Sequence, residues 1–210
     1  MTHAIEVPDG AAEIVAVRFK PGTAAALTGC ALSELTDRDT ELAGLGIADR
    51  LVDQVCSATA AAPGSAPLAA RVPVSARAHA RVGALVDWLR RRLADAAPPD
   101  RRILHATARL AAGARVEAVA AELAVSRQYL ARAFARDVGV TPKQLARIAR
   151  MQRAAAALAN HGDPARIAAA LGYVDQSHLS RDLRELAGAT PATVARERPI
   201  VVAHLFPAPR

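Results

Sequence analysis

Apolar residues recur every three or four positions through most of the chain, and this spacing is that of an amphipathic α-helix. It occurs in residues 23–35, 48–61 and 76–95. In the last of these ranges the apolar stripe consists of Val82, Leu85, Val86, Leu89 and Leu93. Residues 13–19 instead have the pattern of a strand, and a proline–glycine turn follows them. The pattern therefore predicts a mainly α protein with a small α(+β) segment at its N-terminus.

Helix-breaking residues divide the chain into segments. Residues 62–75 contain three prolines and one glycine, so we interpret them as a linker. Residues 76–104 are predicted to be a helical linker region, whose apolar stripe either forms a dimer face or packs within its own chain. Residues 105–198 contain the best-defined helices and are predicted to be one domain. Residues 199–210 are predicted to be a flexible tail.

The C-terminal part contains an internal repeat, in which residues 130–147 align with residues 179–196. The matching pairs are Leu130 and Leu179, Arg132 and Arg181, Phe134 and Leu183, Gly139 and Gly188, and Thr141 and Thr190. A short alanine-rich helix precedes each copy, at 116–124 and 165–172, and the turn after it is one residue longer in the second copy. Such repetition indicates one helix–turn–helix unit used twice.

Capping residues bound the helices of both units. The predicted N-caps are Ser126, Thr141, Asp163 and Asp175, and the predicted helix-ending glycines are Gly139 and Gly188. Between the units, residues 141–162 predict one linker helix of about 18 residues, or roughly 27 Å. A helix of this length can hold the two units about one turn of a DNA duplex apart, on the order of 34 Å.

The second helix of each unit, about 126–138 and 175–187, has an apolar inner face and a polar outer face. The inner faces are predicted to carry Leu130, Phe134 and Val138 in the first unit, and Leu179, Leu183 and Leu186 in the second. The outer faces are predicted to carry Gln128, Arg132, Ala135 and Arg136, and Ser177, Arg181 and Arg184, with Tyr129 and His178 at their edges. The DNA major groove is about 12 Å wide and admits one helix, in which arginine pairs with guanine and glutamine with adenine. These faces therefore suit recognition of double-stranded DNA.

The distribution of charge agrees with a polyanionic partner. The chain carries a net charge of +7. Residues 1–60 are acidic, with 4 basic and 9 acidic residues. Residues 115–198 hold 13 basic and 8 acidic residues. The side chains predicted to contact phosphates are Ser126, Thr141 and Thr190 through their hydroxyls, and Lys143, Arg147 and Arg150 through their charge.

Two segments, 126–142 and 172–191, carry a resemblance to the AraC/XylS family of transcriptional regulators. The second is the more specific, because it has a glycine–aromatic pair, a polar run, an arginine and a Gly-x-Thr-Pro ending. Leu179 and Leu183 stand where aromatic residues are more usual in the family, which keeps the inner face apolar. The resemblance implies two recognition helices in adjacent major grooves, and Ala131 is base-facing but too short to read a base. The predicted DNA-binding residues are Ser126, Arg127, Gln128, Tyr129, Arg132, Arg136, Gln176, Ser177, His178 and Arg181.

The same resemblance sets expectations for the N-terminal part. Many members of the family carry a cupin-like small-molecule domain there, and we expect residues 1–61 to be the remnant of such a domain. Either the chain is a short member or its start lies further upstream. RNA polymerase, a second copy of the chain and a small-molecule effector remain open as partners.

Other classes of function lack a motif in this sequence. The six histidines are scattered, and Cys30 and Cys56 have no metal-ligand spacing and no Pro-Cys-His setting. We therefore expect no enzyme, no metal and no cofactor. No secretion signal or apolar membrane span is visible, so we expect a cytoplasmic protein. The alternative to DNA recognition is a helix-turn-helix module that binds another protein.

Overall fold

The computed structural model describes residues 17–38, 40–45, 47, 76–160 and 162–197, and none of these residues lies in a β-strand. The α-helices are α1 (Ala25–Thr28), α2 (Ala76–Leu93), α3 (Arg101–Ala111), α4 (Val116–Glu122), α5 (Arg127–Asp137), α6 (Pro142–Ala159), α7 (Pro164–Ala170), α8 (Gln176–Ala187) and α9 (Pro191–Glu197). Two short 3₁₀ helices, Leu32–Glu34 and Leu42–Leu45, follow α1. The prediction of a mainly α fold is confirmed.

Helices α3 to α6 enclose the first of two apolar cores, which we call the first core. Its buried residues are Ile103, Ala106, Leu110, Val119, Ala120, Leu130, Ala133, Phe134 and Leu145. Phe134 and Leu130 have no exposed surface, and full burial of side chains of this size stabilises the fold by about 1.5–3 kcal/mol each. This core fixes α5 with its opposite face toward solvent.

The second core lies where α7, α8 and α9 pack against the C-terminal half of α6. Its buried residues are Met151, Ala154, Ala155, Leu158, Ile167, Ala168, Tyr173, Leu179, Leu183, Ala189 and Val194. Because α6 contributes Leu145 to the first core and four residues to the second, one continuous helix joins them. Its 18 residues match the predicted length of the linker helix.

The predicted capping residues occupy the helix ends. Ser126, Thr141, Asp163 and Asp175 each accept a hydrogen bond from a backbone N–H in the first turn of the helix they precede. Thr141 and Gln144 form a reciprocal capping box at the start of α6. Four residues separate α4 from α5 and five separate α7 from α8, so the second turn is one residue longer, as predicted.

The N-terminal part differs from the prediction. Residues 17–20 are irregular where residues 13–19 were predicted to be a strand, and residues 13–16 lie outside the described ranges. An isolated strand leaves its backbone groups unpaired, and no strand lies beside residues 17–20 in the described ranges. The predicted helix over 23–35 ends at Thr28, because Gly29 adopts a left-handed conformation with φ of 68°. The predictions for residues 48–61, 62–75 and 199–210 fall outside the described part of the chain.

The apolar stripe of α2 packs within its own chain. Leu85, Leu89 and Leu93 contact a small cluster around Leu27 and Ile47, whereas Val82 stays 45% exposed. The interpretation as packing inside the chain therefore holds for three of the five stripe residues. A dimer face through these leucines would require the N-terminal segment to move away.

The N-terminal segment also contacts the end of α5. The Thr36 hydroxyl donates a hydrogen bond to the Gly139 carbonyl oxygen at 2.6 Å. Gly139 has φ of 87°, and a Cβ atom there would lie 3.0 Å from the Leu32 carbonyl oxygen. Glycine is therefore required at this position by the backbone conformation and by the close approach of the N-terminal segment.

An exposed ion cluster joins α3 to α4, and it predicts a pH dependence of stability. Glu122 accepts hydrogen bonds from Arg109 at 2.6 and 3.0 Å and lies 3.3 Å from His105 Nε2. Arg109 first, and then His105, lower the pKa of Glu122 from 4.5 to about 2. Since this pKa is lowered in the folded state, the contribution of Glu122 is complete above pH 4.5 and is lost as the pH falls toward 2.

We therefore expect Glu122→Gln to lower the Tm at about pH 7, with the gap to wild type closing as both proteins are taken down to about pH 2. Thermal denaturation followed by circular dichroism at several pH values measures this gap. A gap of the same size at every pH would show that the charge of Glu122 is not the cause.

No helix in the described ranges combines the length and apolar character that a bilayer crossing requires.

Candidate nucleic-acid interface

The outer face of α5 carries six of the predicted site residues. Ser126 caps the helix by accepting a hydrogen bond from the Tyr129 N–H at 3.1 Å, and its hydroxyl hydrogen remains available to a ligand. The residues exposed on this face are Ser126, Arg127, Gln128, Arg132 and Arg136. Tyr129 is half-buried, and the Arg102 guanidinium lies over its ring at 5.5 Å from the centroid. Tyr129 therefore belongs to the edge of the face, as predicted.

The arginines of α5 differ in how they are held. Arg136 binds Asp137 through two hydrogen bonds of 2.7 and 2.8 Å, and Asp137 raises the pKa of Arg136. Arg127 lies 3.7 Å from Glu117. Arg132 is exposed and has no ion-pair partner among the described residues. Arg132 is therefore the cation on this face that can bind a ligand without first leaving a carboxylate.

The outer face of α8 carries the other four predicted site residues. Asp175 caps the helix by accepting a hydrogen bond from the His178 N–H at 2.6 Å, and Gly188 ends it with φ of 63°. Gln176, Ser177 and Arg181 are exposed, and Arg181 has no ion-pair partner in the described ranges. Val174, in the preceding turn, is 87% exposed and adds an apolar contact surface beside them.

His178 lies half-buried at the edge of this face, against Tyr173. The two rings meet edge to face, with centroids 5.2 Å apart and planes at 87°. On Tyr173 the Arg150 guanidinium lies 4.1 Å from the ring centroid. Burial first, and then the nearby Asp182 carboxylate, raise the pKa of Tyr173 to about 12. The phenol is therefore neutral at physiological pH, and its ring contacts both Arg150 and His178.

A network of charged side chains fastens α8 to α6. The Asp182 carboxylate binds Arg147 at 2.8 Å and Arg150 at 3.3 Å, and Arg147 also binds Glu185. Asp182 is only 2% exposed. Glu185 first, and then Asp182, raise the pKa of Arg147, and Arg147 lowers the pKa of Glu185. Every charge in this network has a partner of opposite sign, as burial of a carboxylate requires.

This network corrects the predicted role of two arginines. It also contains a residue whose role was not predicted from the sequence. Arg147 and Arg150 were predicted to contact phosphates, but their guanidinium groups are engaged by Asp182 and Glu185. Lys143 remains exposed. The role of Asp182 was missed, although its position three residues after Leu179 places it on the inner half of α8. Paired arginines at 147 and 150, opposite paired acids at 182 and 185, were the signal in the sequence.

The predicted phosphate-binding hydroxyls act as caps in the structure. Thr141 accepts a hydrogen bond from the Gln144 N–H, and Thr190 accepts one from the Thr193 N–H, each at 3.1 Å. Thr190 also contacts the Thr193 hydroxyl at 2.9 Å. The Thr141 hydroxyl keeps a hydrogen to donate.

One comparison with known proteins finds a match. Residues 119–197, from α4 to α9, match the family model of a helix-turn-helix domain. No curated protein and no solved structure matches the chain. The match supports the AraC/XylS resemblance seen in the sequence, and it covers the second core and the residues of the first core from Val119 onward. Residues 119–197 are therefore similar to a helix-turn-helix domain, and this similarity suggests a DNA-binding transcription regulator.

Proposed function

We propose that the protein is a sequence-specific transcriptional regulator that inserts α5 and α8 into adjacent major grooves of double-stranded DNA. The main observation behind this proposal is that Arg132 and Arg181 occupy equivalent positions in the internal repeat. Both arginines are exposed. Arg132 lies opposite the fully buried Leu130 and Phe134, and Arg181 lies opposite the fully buried Leu179 and Leu183. The protein thus presents the same cation twice from two rigidly held helices.

The chemistry of the two faces fits the edges of base pairs. An arginine pairs in bidentate fashion with guanine O6 and N7, and a glutamine does so with adenine N6 and N7. Arg132 and Gln128 provide these groups on α5, and Arg181 and Gln176 provide them on α8. Ser177 and His178 add shorter hydrogen-bonding groups. We therefore assign base reading to these side chains.

The linker helix α6 supports simultaneous use of both faces. Its 18 residues correspond to about 27 Å, somewhat below the 34 Å of one duplex turn. Because α6 is part of both cores, we expect it to hold the two faces at a fixed separation. A site recognised in this way contains two half-sites about 10 base pairs apart.

The salt dependence of affinity tests whether the partner is DNA. We expect log Kd for a duplex to rise linearly with log salt concentration between about 50 and 200 mM, because each phosphate neutralised contributes about 0.9 to the slope. Fluorescence anisotropy with a labelled duplex gives this slope.

Lys143→Ala supplies the matched variant for this test. Since Lys143 is exposed in the first turn of α6 and is assigned to a phosphate, its removal should lower the slope by about 1 and weaken binding to all sequences alike. Absence of measurable duplex binding at low salt would favour the protein-interaction module instead.

A further inference from the structure

We propose that Asp182 is a positioning residue for DNA reading by the second unit: through Arg150 and the ring of Tyr173 it holds His178 at the reading edge of α8. This inference rests on the proposed function. It assigns a role to the buried carboxylate of Asp182. The exposed residues of α8 could form a reading face without this carboxylate. Asp182 is not expected to touch DNA.

The first link joins Asp182 to Arg150. Asp182 lies between the exposed Arg181 and the buried Leu183 in α8. Its carboxylate faces α6, where it contacts Arg150. Arg150 donates one hydrogen bond to Asp182 at 3.3 Å and another to the Gly172 carbonyl oxygen at 3.4 Å. A planar guanidinium held at two nitrogens has a defined orientation.

The second link is the stack on Tyr173. Arg150 covers the Tyr173 ring at 4.1 Å, and His178 meets the same ring edge to face at 5.2 Å. The Tyr173 hydroxyl is buried without a hydrogen-bond partner of normal geometry. The proposed link therefore runs through the ring, which contacts both Arg150 and His178. The backbone of His178 is fixed separately by the Asp175 cap.

The first helix–turn–helix unit has no equivalent set of contacts. At the repeat offset, Ala133 stands where the second unit has Asp182, and it is part of the first core. Tyr129 stands where the second unit has His178, and Arg102 from α3 lies over its ring instead. Only the second copy of the repeat therefore places a buried carboxylate near its reading edge.

A double-mutant cycle on the full chain tests the link, using a duplex selected from a random pool. We expect Asp182→Asn and His178→Ala each to weaken binding about tenfold, and the double variant to bind no more weakly than His178→Ala alone. Glu122→Gln is the matched control, because it breaks an ion cluster in the first unit and should act equally in both backgrounds. A tenfold effect of Asp182→Asn that persists without His178 would overturn the proposal, as would a His178→Ala variant that binds like wild type.

Variants of Tyr173 test whether its ring is part of the link. They also replace the Asp182→Asn variant in the test if that variant does not fold. Tyr173→Phe keeps the ring and should bind within about twofold of wild type, whereas Tyr173→Leu should lose about tenfold. The loss should vanish in the His178→Ala background. A loss of equal size in that background would assign Tyr173 to the core alone and overturn the proposal.

Nuclear magnetic resonance of the free protein separates this inference from the proposed function. The ring signals of His178 should shift in Tyr173→Leu, and also in Asp182→Asn, although no hydrogen bond or ion pair joins Asp182 to His178. Unmoved His178 signals in folded Asp182→Asn would overturn the link without reference to DNA. A wild-type protein that shows the coupled shifts but binds no duplex would refute the proposed function, and with it the reading role of His178.

Discussion

Replacing Arg132 and Arg181 together by alanine is expected to weaken binding to a selected duplex by about 2–6 kcal/mol. Each arginine that reads a guanine contributes about 1–3 kcal/mol. The two losses should add, because the side chains lie on helices with separate cores and share no partner. Titration of the wild type, both single variants and the double variant against one duplex measures the effect.

Arg136→Ala is the control for this prediction. Arg136 lies on the same helix as Arg132 and carries the same charge, but Asp137 engages its guanidinium. Although the sequence places Arg136 among the DNA-binding residues, we therefore expect its removal to weaken DNA binding by less than the loss of about 1–3 kcal/mol at Arg132. If both single variants at 132 and 181 kept wild-type affinity, the outer faces of α5 and α8 would not be the reading surfaces.

Phe134→Ala is expected to lower the free energy of unfolding by about 3–5 kcal/mol. Phe134 has no exposed surface and is the largest side chain at the centre of the first core, so its truncation leaves a cavity between α5 and its neighbours. Urea denaturation followed by circular dichroism measures the loss, provided that the m-value stays constant.

The internal repeat offers the matched substitution for Phe134. Leu183 occupies the equivalent position in the second core and is also fully buried. Phe134→Leu should therefore cost less than the alanine variant, at about 1.5 kcal/mol. Equal costs for the two substitutions would mean that Phe134 does not fill the first core as described.

Local signals in the sequence were sufficient to predict the helices of the C-terminal part. Ser126, Thr141, Asp163 and Asp175 cap helices because their side-chain oxygens accept hydrogen bonds from the first turn, an interaction between near neighbours in the chain. Apolar spacing likewise predicted which side of each helix is buried. These features depend on separations of a few residues, which a sequence displays directly.

Features that depend on distant residues could not be predicted in the same way. Asp182 lies 35 residues from Arg147, and Thr36 lies 103 residues from Gly139. Charge spacing alone does not tell a solvated arginine from one held by a carboxylate on another helix. For this reason Arg147 and Arg150 were assigned to phosphate, and the contact of the N-terminal segment with α5 was not expected.

The N-terminal strand prediction does not hold at residues 17–19, the part of it that the structure describes. The strand pattern in residues 13–19 describes side-chain alternation but does not provide a neighbouring strand. In the described residues 17–20 the backbone is irregular. Within the part of the chain that the structure describes, no other strand lies beside these residues.

Selection of bound sequences from a random duplex pool tests the central claim most directly. The proposed function predicts that the enriched sequences share two conserved half-sites, about 10–10.5 base pairs from centre to centre, with guanine in each. Arg132→Ala should relax the preference in one half-site, and Arg181→Ala should relax it in the other. Enrichment of a single half-site, of half-sites at an unrelated spacing, or of no sequence would contradict the account of two recognition helices reading one DNA molecule together.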